Sequence, residues 1–434
     1  MIFAQRSKTG QIDLEAVEMA LRSTLHQAGA AALSQLLRFA EPAEDHREIP
    51  CECGQKAHYH ELRTRSVLTA VGKAELSRLY YLCPYCHHGQ FPVDAQLNVE
   101  NKELSPGVRR MLALVGAEAP FDHGRQHMKL LADLEVTTKA VERTAEAMGT
   151  DLAQREQQQI ERAMQLDLPI VLGEPIPILY VQMDATGVPV VKTETEGRQG
   201  NEEGQPPHTR QAKLGCVFTQ TKWDEEGYAI RDPGSTTYVA AIEPAQEFGK
   251  RLYLEAWKRG WSRAEKKVFM GDGAEYNWNI ADQYFPGATQ IVDLYHAREH
   301  LWDLVRKLHP NEQPHQNRWI MIQGDKLAEG LIEDLVQSLR SIESSNSELT
   351  ESIRIEANYF EKNAERMRYP KFRSQHLFVG TGVIEAGCKT LIGSRCRHQL
   401  LRIVLGQTPS RCGPGRPDIH LRQARADSPQ CDED

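Results

Sequence analysis

The chain has 434 residues, of which 40% are hydrophobic and 26% are charged, and its formal net charge is −8. This length and composition suffice for more than one packed domain, and no unbroken run of about 18 apolar residues offers a membrane span. The first ten residues are polar and lack an apolar signal core, so we expect a soluble, cytoplasmic protein.

Basic residues cluster at three places despite the acidic balance. Arg109 and Arg110 are adjacent, Lys266 and Lys267 are adjacent, and residues 366–373 are rich in arginine and lysine. Binding to nucleic-acid phosphates favours such clusters. Ordinary solvated surface charge is the alternative at each of them, so charge alone does not decide the class of partner.

The first predicted element is a helix over residues 11–40, with Asp13 as its N-cap. Apolar residues recur along it at helical spacing: Leu14, Val17, Ala20, Leu21, Leu25 and Ala28. Residues 43–50 are polar and contain proline, and we expect them to form a linker.

Four of the nine cysteines fall within residues 51–94. Two of them precede a pair of strand-like runs at 66–71 and 74–82, and two follow it. Nine cysteines in a cytosolic chain indicate metal binding or buried thiols instead of disulfides. Two tight turns that each present two thiolates to one ion suit tetrahedral Zn²⁺. The predicted structural zinc ligands are Cys51, Cys53, Cys83 and Cys86. Possible substitutes are His58, His60, His87 and His88.

Residues 105–165 are predicted to be helical, and Ser105 followed by proline indicates where the first helix starts. A helix over 121–134, a turn at 135–137 and a second helix over 138–148 resemble a helix-turn-helix. The exposed face of this second helix would present Lys139, Glu142 and Arg143 to a DNA groove. Gly149 is the predicted stop of the helix, and a helical linker follows. A helical hairpin without a role in DNA binding fits the same spacing, and both interpretations remain open.

Residues 176–300 are predicted to contain three strands, then a helix, a strand, a helix, a strand and a helix, with a polar loop at 194–210. This is the chain order of a ribonuclease-H-like fold, an α/β structure in which a mixed sheet carries helices on its faces. Residues 301–375 are almost entirely helix-forming. We interpret them as a helical insertion into the sheet domain.

Three carboxylates between residues 176 and 396 have small residues beside them: Asp184, Asp272 and Glu385. The two aspartates are each predicted to end a strand, and the glutamate is predicted to begin a helix packed against the same edge. Converging carboxylates repel each other unless cations neutralise them. Two Mg²⁺ ions about 4 Å apart would do so, one activating a water or a 3′-hydroxyl and the other stabilising the leaving oxygen. For Asp184 alone, a turn or cap residue is the alternative.

A second cluster follows the last predicted strand and contains Asp293, His296 and His300. These residues could bind phosphate, hold the scissile strand or orient a carboxylate. A buried, hydrogen-bonded histidine is the alternative.

Four motifs resemble those of a known family, the bacterial insertion-sequence DDE transposases of the ISKra group, which are related to the Mutator-like superfamily. The resemblance covers nearly all of residues 10–396. The motifs are Met-Asp-Ala-Thr-Gly at 183–187, Gly-Asp-Gly-Ala at 271–274 with Trp278, Asp-x-x-His-Ala-x-Glu-His-Leu at 293–301, and Gly-Thr-Gly-Val-Ile-Glu-Ala-Gly-Cys-Lys at 380–389.

The resemblance implies that Asp184, Asp272 and Glu385 form the catalytic triad, with Asp293 and His296 close to the active site. It implies two Mg²⁺ (or Mn²⁺) ions, and double-stranded DNA as the partner, both as terminal repeats of the element and as target. The N-terminal modules would bind the element ends. A homo-oligomer on DNA, associated with the nucleoid, is expected.

The expected reaction is strand cleavage at the element ends, followed by attack of the 3′-hydroxyl on target DNA. The alternatives are an impaired remnant that only binds element ends, and a ribonuclease-H-like nuclease without strand transfer. The expected divisions are 1–50 (helical), 51–94 (zinc-ribbon-like), 95–166 (helical, with the helix-turn-helix-like segment), 176–300 with 376–396 (catalytic core), 301–375 (insertion) and 397–434 (tail).

The tail departs from the family pattern after about Arg395. Residues 398–434 lack helical and strand periodicity, and Gly-Pro-Gly-Arg-Pro at 413–417 cannot be helical. We hypothesise that the reading frame is shifted near residues 395–402, which would deprive the helix of Glu385 of a packing partner.

Overall fold

The structure is a computed structural model that describes residues 13–190, 209–380 and 382–388, except for the side chain of Glu385. Within these residues the chain is a mixed α/β protein with one sheet of four strands, one of five and one of two. Nearly all of the predicted loop at 194–210 lies outside the described residues, as does the tail on which the frame-shift hypothesis rests.

The N-terminal helix α1 (Leu14–Leu36) begins as predicted, because the Asp13 carboxylate accepts a hydrogen bond from the Ala16 amide. Its apolar residues are not buried, however, and Leu14, Leu21 and Leu25 are 66%, 59% and 62% exposed. Helical spacing therefore identified the helix but not a buried face. Only the second half of α1 lies against the following strands, where Gly29 approaches Val71.

The cysteine segment forms an antiparallel sheet in the order β1–β2–β3–β4, and this confirms the predicted hairpin. Strand β1 lies inside the predicted linker at 43–50 and pairs with β2, so part of that segment is ordered structure. The bounds are β1 (Glu48–Pro50), β2 (Lys56–Thr69), β3 (Gly72–Leu82) and β4 (Gly89–Gln90), followed by the short helix α2 (Pro92–Gln96).

Three further helices follow: α3 (Pro106–Glu118), α4 (Phe121–Ala132) and α5 (Thr138–Met164). Ser105 caps α3 as predicted and accepts from the Val108 amide, and Thr137 caps α5 and accepts from the Ala140 amide. The predicted stop at Gly149 is wrong, because α5 continues through this buried glycine. One glycine costs a helix only about 1 kcal/mol, which the helix formers around it outweigh.

Substituting Gly116 by alanine tests the packing of α3 on α5. A Cβ at Gly116 would stand 2.8 Å from the Ala145 Cβ and 3.2 Å from a Val141 methyl group. We expect Gly116→Ala to lower the free energy of unfolding by about 1–3 kcal/mol, because overpacking outweighs the gain in helix propensity. Gly107→Ala is the matched control in the same helix, since its Cβ would meet nothing closer than 3.8 Å. Equal melting temperatures for the two variants would contradict this packing.

The mixed five-stranded sheet is confirmed, with the strand order β11–β10–β5–β6–β9. Strands β5, β10 and β11 are parallel, and β6 is antiparallel to both of its neighbours. The bounds are β5 (Ile176–Pro189), β6 (Thr209–Gln220), β9 (Thr237–Ala241), β10 (Ala264–Gly271) and β11 (Thr289–Val292), with the two-stranded sheet β7 (Lys222–Trp223) and β8 (Ala229–Ile230).

Helices cover this sheet and share its hydrophobic core. The predicted insertion does not form a core of its own, because its buried residues, such as Leu335 and Phe360, belong to the same cluster as the sheet residues. The bounds are α6 (Ala245–Lys258), α7 (Glu275–Tyr284), α8 (Leu294–Leu308), α9 (Gln313–Ala328), α10 (Ile332–Arg340), α11 (Ser347–Lys362), α12 (Tyr369–Arg373) and α13 (Val383–Gly387). Of the helices that the structure describes, none is both long and apolar enough to cross a membrane.

Candidate functional site

Asp184 on β5 and Asp272 directly after β10 lie at the same end of two neighbouring parallel strands of the five-stranded sheet. The pairing of β5 with β10 stops at Gln182 and Met270, so each aspartate lies two residues beyond the last paired position. Asp272 follows β10 as predicted. Asp184 does not end its strand, because β5 continues alongside β6 and pairs there with Leu214. Its other neighbour, β10, ends before this point, so Asp184 has a paired strand only on the side of β6.

The Asp184 carboxylate is half-buried and held on both oxygens. Its Oδ1 accepts from the Ala185 amide at 2.6 Å, and its Oδ2 accepts from the Cys388 thiol at 3.5 Å. Burial raises the pKa of Asp184, and the negative charge of Asp272 raises it further, while His296 acts in the opposite direction. Burial and the charge of Asp272 thus both disfavour the ionised form of Asp184, and a bound cation would favour it.

The Asp272 carboxylate is held by the start of the following helix. Its Oδ1 accepts from the Ala274 amide at 2.9 Å and from the Asn277 side chain at 2.5 Å. Burial raises the pKa of the Tyr276 hydroxyl, and the charges of Asp272 and Asp184 raise it further. Sequence reasoning missed Tyr276 and Asn277, although their position one turn after Gly-Asp-Gly was a signal for them.

Asp293 connects the sheet to the helix that follows it. It is the N-cap of α8, where its Oδ1 accepts from the amides of Tyr295 and His296, and its Oδ2 accepts from Gln182 at 3.4 Å. Its own amide donates to the Gly271 carbonyl. Asp293 is only 7% exposed, and its hydrogen bonds connect β5, β10 and α8.

His296 is half-exposed on the first turn of α8. Its imidazole lies 3.4 Å from the Glu299 carboxylate, and its ring meets that of His300 edge-on with centroids 5.1 Å apart. When protonated, it would favour the ionised form of Asp184. The predicted histidine is thus partly accessible to solvent.

Glu385 lies in the short helix α13, and its side chain is outside the part that the structure describes. The flanking Val383 and Ile384 are buried in the core of the five-stranded sheet. The Tyr238 hydroxyl donates to the Val383 carbonyl at 3.4 Å. Cys388, three residues after Glu385, reaches Asp184. The backbone of Glu385 is therefore carried by the segment that contacts the first aspartate.

The donors at this sheet edge fit a hard divalent cation. Carboxylate oxygens are the ligands that Mg²⁺ and Mn²⁺ prefer. A partly buried aspartate whose pKa is raised by a second aspartate gains stability as an anion when a cation neutralises the pair. Asp184 and Asp272 would be the ligands from the described residues.

Substituting Asp184 by asparagine is expected to raise the melting temperature of the protein by a few degrees at neutral pH without magnesium. The folded-state pKa of Asp184 is above its unfolded value, so the native state loses stability as pH rises through that window. The neutral amide avoids this loss, and the difference should vanish below the ordinary pKa of an aspartate. Added Mg²⁺ should stabilise the wild type alone. Asp325→Asn, at an exposed position, should change neither the melting temperature nor the effect of Mg²⁺ on it. A lower melting temperature for Asp184→Asn at neutral pH would contradict the raised pKa of Asp184.

The four predicted cysteines come together, and their sulfur atoms all lie within 4.8 Å of one another. The Cys51 and Cys86 sulfurs are 3.5 Å apart, and those of Cys53 and Cys83 are 3.7 Å apart. Tetrahedral zinc with Zn–S bonds of about 2.3 Å requires sulfur separations of about 3.8 Å. The cluster could therefore bind zinc.

The four thiols of this cluster differ in acidity, because burial and hydrogen bonds from neighbouring sulfurs raise the pKa of Cys53 and raise that of Cys86 to about 12. The backbone amides of Cys86 and Tyr85 lower the pKa of Cys83 to about 6. Gly54, with φ +82°, and His87, with φ +56°, allow the tight turns of the two cysteine pairs. Among the described residues, no histidine joins the group, and this is the only set of three or more potential ligands within that distance.

No family model and no curated protein matches this chain. One solved structure, the Drosophila P element transposase strand transfer complex, is similar to 60% of the chain with 9% sequence identity and a TM-score of 0.23. The chain spans 63% of the length of that protein.

Proposed function

We propose that this chain is a DDE transposase that cleaves DNA strands at the ends of an insertion sequence and transfers the 3′ ends to target DNA. The observation that carries the proposal is the placement of Asp184 and Asp272 at the same end of two adjacent parallel strands of the sheet. The helix of Glu385 packs on the same sheet core, as a third ligand would require.

The topology of the sheet supports a ribonuclease-H-like core. Strands β5, β6 and β9 form an antiparallel meander, and β10 and β11 then extend the sheet in parallel from the first of these strands. This agrees with the chain order expected of that fold, and it places the first and fourth strands side by side.

In the proposed mechanism, Asp184, Asp272 and Glu385 would hold two Mg²⁺ (or Mn²⁺) ions. Such ions activate a water or 3′-hydroxyl and stabilise the leaving oxygen of a phosphodiester. The protein's own contribution is orientation, because main-chain amides fix one oxygen of each aspartate. His296, when protonated, places a positive charge beside Asp184, where it can hold a phosphate of the scissile strand.

The N-terminal modules are proposed to bind double-stranded DNA at the terminal repeats. A structural Zn²⁺ at the cysteine cluster would stabilise the first module. In the second, Lys139 and Arg143 are exposed near the start of α5, where a recognition helix contacts a groove, whereas Glu142 is half-buried. The homo-oligomer and the association with the nucleoid belong to the same proposal.

The test is an assay with the full-length chain, Mg²⁺, a donor plasmid that carries the DNA flanking the gene, and a target plasmid. Nicks at the element ends together with joined donor–target products are the expected result. Nicks without joined products would indicate a nuclease that lacks strand transfer. Binding without nicks would indicate a remnant that only occupies element ends.

A further inference from the structure

One tyrosine of the helical insertion contacts the loop that presents Asp272. The Tyr359 hydroxyl, on α11, donates to the Asp272 carbonyl at 2.8 Å. Gly273 has φ +94°, and a Cβ there would stand 2.5 Å from the Tyr359 ring. The ring therefore packs directly on the loop, and only glycine permits this approach.

A second residue of the same segment reinforces this contact. The Asn363 amide, at the end of α11, donates to the Gly273 carbonyl at 3.3 Å, and Asn363 is only 4% exposed. The indole of Trp278 donates to that same carbonyl. Two consecutive carbonyls of the Asp272 loop are thus bound by side chains from outside the loop.

Tyr359 is itself held in place by His300 and Glu356. Its ring stacks on the imidazole of His300, with centroids 3.9 Å apart and planes inclined by 18°. His300 Nδ1 lies 2.7 Å from the Glu356 carboxylate, one turn before Tyr359 on α11.

His300 also meets the ring of His296 edge-on, with the centroids 5.1 Å apart. The rings of Tyr359, His300 and His296 therefore form one chain of contacts between α11 and the first turns of α8.

We propose that Tyr359 is a positioning residue, whose hydroxyl fixes the backbone of Asp272 so that the carboxylate pair binds a divalent cation with the required geometry. The helical insertion would then tune the metal site as well as separate the second carboxylate from the third. This inference rests on the proposed function, because it assumes that Asp184 and Asp272 are the metal ligands.

The test is a titration of the full-length, zinc-loaded protein with Mn²⁺, followed by electron paramagnetic resonance. Tyr359→Phe keeps the ring and its stacking on His300 and removes only the hydroxyl. Loss of an outer-shell partner typically weakens metal binding about 10- to 100-fold. We expect the Mn²⁺ affinity of Tyr359→Phe to fall by about tenfold, at the low end of that range, because the hydroxyl bonds the backbone of the ligand residue.

Tyr81→Phe is the matched control. The Tyr81 hydroxyl also donates to a backbone carbonyl, that of His46, at 2.9 Å, but it lies in the cysteine module. Its removal should leave Mn²⁺ binding unchanged. Equal weakening in both variants would overturn the proposal, since it would reflect a general loss of structure.

Two further variants distinguish failure of this inference from failure of the proposed function. Asp184→Asn and Asp272→Asn should each abolish Mn²⁺ binding. If they do and Tyr359→Phe binds like the wild type, the positioning role is wrong and the carboxylate site stands. If Mn²⁺ binding survives both asparagine variants, the pair is not the metal site, and both the proposed function and this inference fail.

Discussion

Asp272→Asn is expected to reduce strand cleavage at the element ends by on the order of a thousandfold or more, because a metal ion contributes several kcal/mol of transition-state stabilisation and each tenfold in rate corresponds to about 1.4 kcal/mol. The side-chain amide is nearly isosteric with the carboxylate, so the contacts with Ala274 and Asn277 can be kept in part. Cleavage is measured as nicked plasmid over time, and DNA binding is measured separately by mobility shift.

Asp303→Asn is the control for this prediction. Asp303 is an exposed carboxylate on α8 that pairs with Arg306, and its loss should leave cleavage unchanged. Persistence of cleavage in Asp272→Asn at the wild-type rate would exclude this aspartate from the reaction. Loss of DNA binding together with cleavage would instead point to a folding defect.

Cys83→Ser is expected to remove zinc and to unfold the cysteine module. Structural zinc sites contribute about 10–16 kcal/mol of apparent binding energy, which is also folding energy, and the module's own core is small. That core consists of Cys51, Ala57, Tyr81 and Cys83. Zinc content by elemental analysis should fall from one equivalent to none, and the segment 48–90 should lose its protection against proteolysis.

The buried thiol of Cys216 provides the comparison for this second prediction. It lies in the five-stranded sheet, far along the chain from the cluster, and it does not belong to the group of four sulfurs. Cys216→Ala should retain one equivalent of zinc. An unchanged zinc content in Cys83→Ser would show that the sulfur cluster is not the site of the metal.

Local sequence patterns predicted helix starts and the cysteine cluster well, because residue type and short-range geometry decide these features. Asp13, Ser105 and Thr137 cap helices because a side-chain oxygen can satisfy a free amide wherever a helix begins. The Cys-x-Cys and Cys-x-x-Cys pairs around a hairpin predicted one cluster, since a hairpin brings its two ends together. The predicted helix stop at Gly149 was wrong because the cost of one glycine in a helix, about 1 kcal/mol, is small beside the stability of a long packed helix.

Spacing along the chain could not predict which faces are buried or which distant residues meet. The apolar stripe of α1 is regular, yet burial depends on what the rest of the fold places opposite it, and there Leu14 and Leu21 remain exposed. The partners of the Asp272 loop were likewise missed, because Tyr359 belongs to a segment that the sequence indicated only as helical. Contacts between residues far apart in the chain leave no periodic signal.

By itself, the sequence determined the identities of the candidate residues, the order of strands and helices, and the cysteine spacing, because these depend on residue type and local geometry. Only the tertiary structure decided that β5 and β10 are neighbours, that β5 continues past Asp184 while its partner ends, and that α11 closes on the Asp272 loop. These outcomes follow from long-range packing, in which many weak contacts between distant segments together select one arrangement of the sheet.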